Sequence, residues 1–189
     1  MADGFTQNKR KVGKAMAYFV INAAFAAMFA LGLFTLASNP CYTIKGSSTP
    51  VDPTMYPEAN DVTQWFNWTL LFGFVFYSLG AAASLGYLAK GGFIQQIAVF
   101  LEKVARASSY IVFIAVHVMR LSHTGAVCSG DYLPSEARTD AVVKGYMIPT
   151  GQFFLTYIII GWIAVPALLI ITVCIKGDRW ASLALDAPK

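Results

Sequence analysis

The chain has 189 residues, 57% of them hydrophobic and only 13% charged, with a formal net charge of +4. A composition this apolar argues against a soluble enzyme and for a chain that sits in lipid. No phosphate loop, nucleophile elbow or pair of catalytic carboxylates is present, and the short basic tail is the only feature a nucleic acid could use, so neither enzymatic chemistry nor nucleic-acid binding is expected.

Apolar blocks fall at about residues 15–37, 65–89, 97–121 and 151–175. Each is close to the roughly 20 residues that cross a bilayer as a helix. A membrane leaves the backbone only two ways to bond itself, helix or closed barrel, and blocks this long and continuous read as helices. The connections are too short to fold separately. The expected fold is an all-α membrane protein: residues 1–189 form a single four-transmembrane-helix domain.

The N-terminal tail carries Lys9, Arg10, Lys11 and Lys14. The apolar block behind it is too long for a signal peptide and has no clear small-residue cleavage site, so span one reads as an uncleaved anchor. Residue 2 is Ala, which rules out the myristoylation pattern. In span one, Ala23 and Ala27, and Ala26 and Ala30, form small-xxx-small pairs. Such pairs let helices approach closely in lipid. Asn22 offers an interhelical hydrogen bond.

Residues 38–63 hold four prolines and Gly46, the chemistry of an irregular loop with turns. Trp65, Phe66 and Trp68 then enter span two at interfacial depth. Asn67-Trp68-Thr69 matches a glycosylation sequon but lies at the membrane edge, beyond the reach of the transferase. Further along, Gly80 and Ser84, Ser78 and Ala82, and Ala82 and Gly86 repeat the small-xxx-small spacing.

Span three is the least ordinary. Its first half interleaves apolar residues with Gln95, Gln96, Glu102, Lys103 and Arg106. Spacings of three and four describe an amphipathic segment at the inner interface, where Glu102 and Arg106 pair on one face. Its second half carries His117, Arg120 and His123, three apart, as one slanted stripe. Ionisable groups at membrane depth are candidates for a proton path or an anion site. The plainer reading puts Arg120 and His123 at headgroup level and bonds His117 within the bundle. The two histidines lie about 9 Å apart on one helix, so they cannot flank one haem iron. With Cys128 they lack compact metal-ligand spacing. No cofactor or metal is expected.

After span three, Gly125 and Gly130 allow tight turns around Cys128, and Asp131 is placed to pair with Arg120 at the outer mouth. In span four, Pro166 introduces a bend and Gly161 a small site. Cys174, at its inner end, either packs or accepts a palmitoyl chain.

Charge gives these spans a direction. Ten of the fourteen Lys and Arg fall in the tails and around the second connection, which places both termini in the cytosol or a matrix-like compartment. Cys41 and Cys128 then share the outer or luminal face. In an oxidising compartment they form a disulfide; in a reducing organelle they stay as two thiols.

Four spans, inward tails and one cysteine in each outer connection resemble the MARVEL-like tetraspan proteins, which organise the membranes of vesicles and junctions. The stretch from Arg120 to Tyr132, RLSHTGAVCSGDY, also looks like one in tetraspan proteins of single-celled eukaryotes. The resemblance implies a non-enzymatic structural protein of the plasma membrane or endomembranes that associates laterally with copies of itself. Two alternatives stand beside it: an accessory subunit of a larger membrane complex, as in the mitochondrial inner membrane, and a small channel or transporter built on His117 and Arg120.

Overall fold

The structure is a computed structural model. It describes residues 2–36, 40–86, 92–134, 145–163 and 166, without the side chains of 2–11 and Lys14. The described chain is mostly helical. In order it forms α1 (Ala2–Thr35), β1 (Tyr42–Thr43), β2 (Asn60–Asp61), α2 (Val62–Gly86), α3 (Gly92–Leu121) and α4 (His123–Cys128). A further helix, α5, covers Ile148–Ile163. Contacts divide the chain into two compact units, Met1–Phe154 and Leu155–Lys189. In the second unit only the α5 residues 155–163 and Pro166 are described, so Cys174, the C-terminal basic residues and the surroundings of Pro166 lie outside the described residues.

Two of these helices are long and apolar enough to cross a membrane: α2, and the Ala15–Thr35 segment of α1. α1 begins well before the apolar block because nothing in the tail stops it. From Ala2 to Thr35 there is no proline, and Ala, Lys, Arg, Gln and Met are strong helix formers. At about 1.5 Å per residue, its 34 residues exceed the roughly 30 Å of a hydrocarbon core. α3 has the length, at 30 residues, but carries Glu102, Lys103, Arg106 and Arg120.

α2 starts at Val62, earlier than its apolar block, because Asp61 caps it. The Asp61 carboxylate accepts the backbone N–H groups of Thr63 at 3.0 Å and Gln64 at 3.4 Å, donors that have no intrahelical partner. The preceding loop is more regular than its prolines suggest. Tyr42 pairs with Asp61 and Thr43 with Asn60 in a two-residue antiparallel ladder, and Val51 N–H bonds the Tyr42 carbonyl at 2.8 Å.

α2 packs on both α1 and α3. Its buried residues, among them Phe66, Leu70, Gly73, Tyr77, Gly80 and Ser84, recur every three or four positions, the spacing of one helical face. The approach to α1 is set by glycine. A Cβ on Gly73 would lie 2.3 Å from the Phe29 ring, and one on Gly80 would lie 2.7 Å from the Asn22 side-chain oxygen. Towards α3, a Cβ on Gly86 would meet Ala98 at 2.9 Å. Phe29 fills the space left by Gly73, is fully buried, and stacks against Tyr77 at 5.6 Å.

Candidate functional site

The most closely bonded region is the end of the molecule where α3 gives way to α4. The buried residues of α3 are Ala98, Ala105, Ser108, Val112, Val116 and Arg120. Steps of seven, three and four keep them on one face, so the helix carries a guanidinium into the interior at its last turn. Arg120 is only 5% exposed, and a charge so buried needs partners.

The turn that follows supplies them. Ser122 ends α3 and caps α4, its hydroxyl accepting Gly125 N–H at 3.1 Å. A Cβ on Gly125 would fall 1.6 Å from the Met119 carbonyl oxygen, so only glycine fits there. At the far end Gly130 takes a positive φ of 74°. Its N–H bonds the Val127 carbonyl at 3.0 Å, and Asp131 N–H bonds Ala126 at 3.0 Å. This pair of bonds is a Schellman C-cap. A six-residue helix thus occupies what reads in sequence as an irregular loop, and it turns the chain so that Asp131 returns to Arg120.

The two meet as a fork. Arg120 Nη1 donates to Asp131 Oδ2 at 2.6 Å and Nη2 to Oδ1 at 2.8 Å, while Nε donates to the Gly151 carbonyl at 2.9 Å. Two parallel charge-assisted bonds fix both the energy and the orientation of the pair. Asp131 keeps 36% of its side chain exposed, so the pair sits at a surface rather than deep in the interior. Gly151 is held close because a Cβ there would lie 2.2 Å from the Ser129 hydroxyl. The Cys128 carbonyl accepts Met147 N–H at 2.7 Å, joining α4 to the start of α5. Burial pushes the Tyr146 phenol above its usual pKa.

Cys41 and Cys128 form a disulfide with Cα atoms 5.9 Å apart, and neither residue has exposed surface. Cys41 is fixed on both sides: its N–H donates to the Thr63 hydroxyl at 2.7 Å and its carbonyl accepts Val62 N–H at 3.0 Å. The bridge therefore ties the start of α2 to α4. The hydroxyls of Thr43 and Ser129 are buried nearby in sequence and have no hydrogen-bond partner among the described residues.

His117, Arg120 and His123 do not share one environment. His117 donates from Nδ1 to the Phe113 carbonyl of its own helix at 2.7 Å and packs edge-on against the Phe113 ring. Arg120 faces the interior. His123 lies past the break at Ser122 and is exposed. Its Nε2 is 2.8 Å from the Ser47 carbonyl and its Nδ1 is 3.0 Å from the Tyr132 hydroxyl. A carbonyl only accepts, so the proton is on Nε2, and in the neutral ring Tyr132 donates to Nδ1. His123 thereby links the β1–β2 loop to the segment after α4. In that loop the Asp52 carboxyl is held below its usual pKa, first by the Thr54 hydroxyl and then by the Thr54 N–H.

The packing residues divide similarly. Gly80 and Ser84 are buried, Ala23, Ser78 and Gly86 are half-buried, and Ala27 and Ala82 are exposed. Gly73 and Gly151 did not stand out in the sequence, and Gly125 did so only as a turn residue, yet each admits a neighbour that a methyl group would displace. Their signal in the sequence is weak: an isolated glycine at a helical position, where it costs about 1 kcal/mol relative to alanine unless packing repays it. At the other end of α3, Arg106 pairs with Glu102 and stands 5.5 Å over the Tyr18 ring of α1. Among the described residues no group of three or more His, Cys, Asp or Glu is placed to hold a metal ion. No family model matches the chain, and neither does a curated protein or a solved structure.

Proposed function

We propose that the chain is a non-enzymatic, multi-pass membrane protein that associates laterally with copies of itself to organise or shape a membrane. The observation that carries this reading is the apolar character of its outward faces. Trp65, Trp68, Phe72 and Val75 stand exposed on α2, and Tyr110, Ile111, Ile114, Val118 and Leu121 on α3. Apolar surface this continuous marks contact with a membrane or another protein. Trp68, Phe72 and Phe76 stack in sequence, with centroids 5.7 and 6.1 Å apart. That makes a stiff aromatic rib on α2, suited to a flat contact with a second copy.

In this reading α3 and the helix that begins as α5 also cross, giving four spans with both termini in the cytosol or matrix. The cap built on Arg120, Asp131 and the disulfide then faces the oxidising side. Such a four-span arrangement is the one for which the sequence resembles the MARVEL-like tetraspan proteins. The transport alternative draws less support, because Arg120 directs three of its five N–H donors to Asp131 and Gly151.

Extraction of native membranes at alkaline pH tests the first step: an integral protein stays with the lipid. Purification in mild detergent tests the second. A homogeneous ring or lattice supports self-association, whereas stoichiometric unlike subunits point to an accessory subunit of a larger complex. Flux through reconstituted vesicles that falls with His117→Ala or Arg120→Ala would favour transport.

A further inference from the structure

A groove of about 380 Å³ opens between the first turn of α2 and the last turn of α3. The helices are antiparallel, so their ends meet at one level. Its walls differ from end to end. Asn60 just before α2, Ser122 just after α3 and Thr124 in the first turn of α4 form a polar rim, while Val62 and Trp65 of α2 and Val118 of α3 form an apolar floor. No residue of the lining carries a formal charge. Ser122 and Thr124 engage each other at 3.2 Å, and Ser122 also caps α4. The Asn60 side-chain amide makes no hydrogen bond within the described residues. It offers a donor and an acceptor side by side at the mouth of the groove.

We propose that this groove binds a neutral acylglycerol of the outer leaflet. The proposal rests on the membrane reading above, which sets the rim at headgroup depth and the floor in the acyl region. An acylglycerol brings what the lining lacks: an ester carbonyl to accept from Asn60 Nδ2, a hydroxyl to donate to Asn60 Oδ1, and a chain to cover Val62, Trp65 and Val118. A charged headgroup finds no counter-charge in this lining. Trp65 and Val118 are 61% and 62% exposed, so the floor is open to a ligand arriving from the lipid.

The full chain is purified, reconstituted into phosphatidylcholine vesicles and labelled with a photoactivatable diacylglycerol. Labelling is expected to saturate, to be displaced by unlabelled diacylglycerol and to map to peptides containing Trp65 or Met119. Val118→Trp fills the groove from an exposed position and is expected to lower labelling about tenfold, a loss of about 1.4 kcal/mol in binding. Ile111→Trp, exposed on the same helix about two turns inward, serves as the control and is expected to leave labelling unchanged. Asn60→Leu is expected to weaken displacement while preserving the disulfide gel shift. Labelling that does not saturate, that persists in Val118→Trp, or that phosphatidylcholine displaces equally well overturns the proposal, as does a chain-to-chain cross-link through Trp65. If the chain is instead released from native membranes by alkaline extraction, the membrane reading itself has failed.

Discussion

The cap and the helical stem of the first unit are held by different forces. In the cap almost every important contact is directional: a disulfide, a bidentate ion pair, two helix caps and a histidine bridging two segments. In the stem the corresponding positions hold glycine and aromatic rings, with Gly73 under Phe29 and Gly86 against Ala98. Hydroxyls there bond their own helix, as Ser84 does to Gly80 and Ser109 to Ala105. The difference follows from the surroundings in the proposed membrane setting. Between helices in lipid there is little hydrophobic driving force, so close van der Waals approach must hold them. At the water-facing end solvent competes for every polar bond, and covalent or charge-assisted contacts hold where single neutral ones would not.

Five sets of substitutions probe this contrast, in descending order of cost. Gly125→Ala places a methyl group on a backbone carbonyl at the α3–α4 junction. It is expected to cost about 5 kcal/mol or more and to leave little disulfide-linked chain on a non-reducing gel. Replacing Cys41 and Cys128 together by Ser opens a crosslink spanning 87 positions, which the chain-entropy model values at about 4 kcal/mol. Wild type should show a mobility shift on reduction that this variant lacks, and a higher melting temperature in detergent. Asp131→Ala strands Arg120 and is expected to cost about 2–3 kcal/mol, less than a fully buried pair because Asp131 is partly exposed. Adding Arg120→Met should recover most of that loss; no recovery would show that the fork is not what holds the turn.

In the stem, Gly73→Ala forces Phe29 aside and is expected to cost about 1–3 kcal/mol, with no change in the gel shift. A melting temperature equal to wild type would mean that α1 and α2 are not packed through this contact. Thr43→Val removes a buried, unpaired hydroxyl at nearly constant shape and is expected to raise stability by up to about 1 kcal/mol. A loss instead would reveal a partner for that hydroxyl.

Much of the secondary structure was legible from residue spacing, because hydrophobic blocks and capping residues act over a few neighbours. α3 covers the whole apolar block of span three, and α1 and α2 cover those of spans one and two as far as Thr35 and Gly86. The tail joined α1 because propensity alone favours helix when no breaker intervenes. The loop after span three was harder. Its glycines announced turns, but whether those turns close into a short helix depends on Ser122 and on the paired bonds around Gly130. The charged stripe was read from one ideal helix of uniform pitch. α3 stops at Leu121, and the break sends His123 to a different face.

By itself the sequence determined the class of elements and the cysteine and charge content available to each end. Those are local or compositional properties, set by period, propensity and count. Tertiary structure decided which small residues matter and what Arg120 does. Spacing could not distinguish Gly80, which is buried, from Ala82, which is exposed, since both fit the same pattern. Only a neighbour's surface makes one of them necessary. Arg120 likewise became half of a fork because α4 returns Asp131 across a turn of eleven positions and α5 brings a carbonyl to Nε, contacts that no single helix encodes.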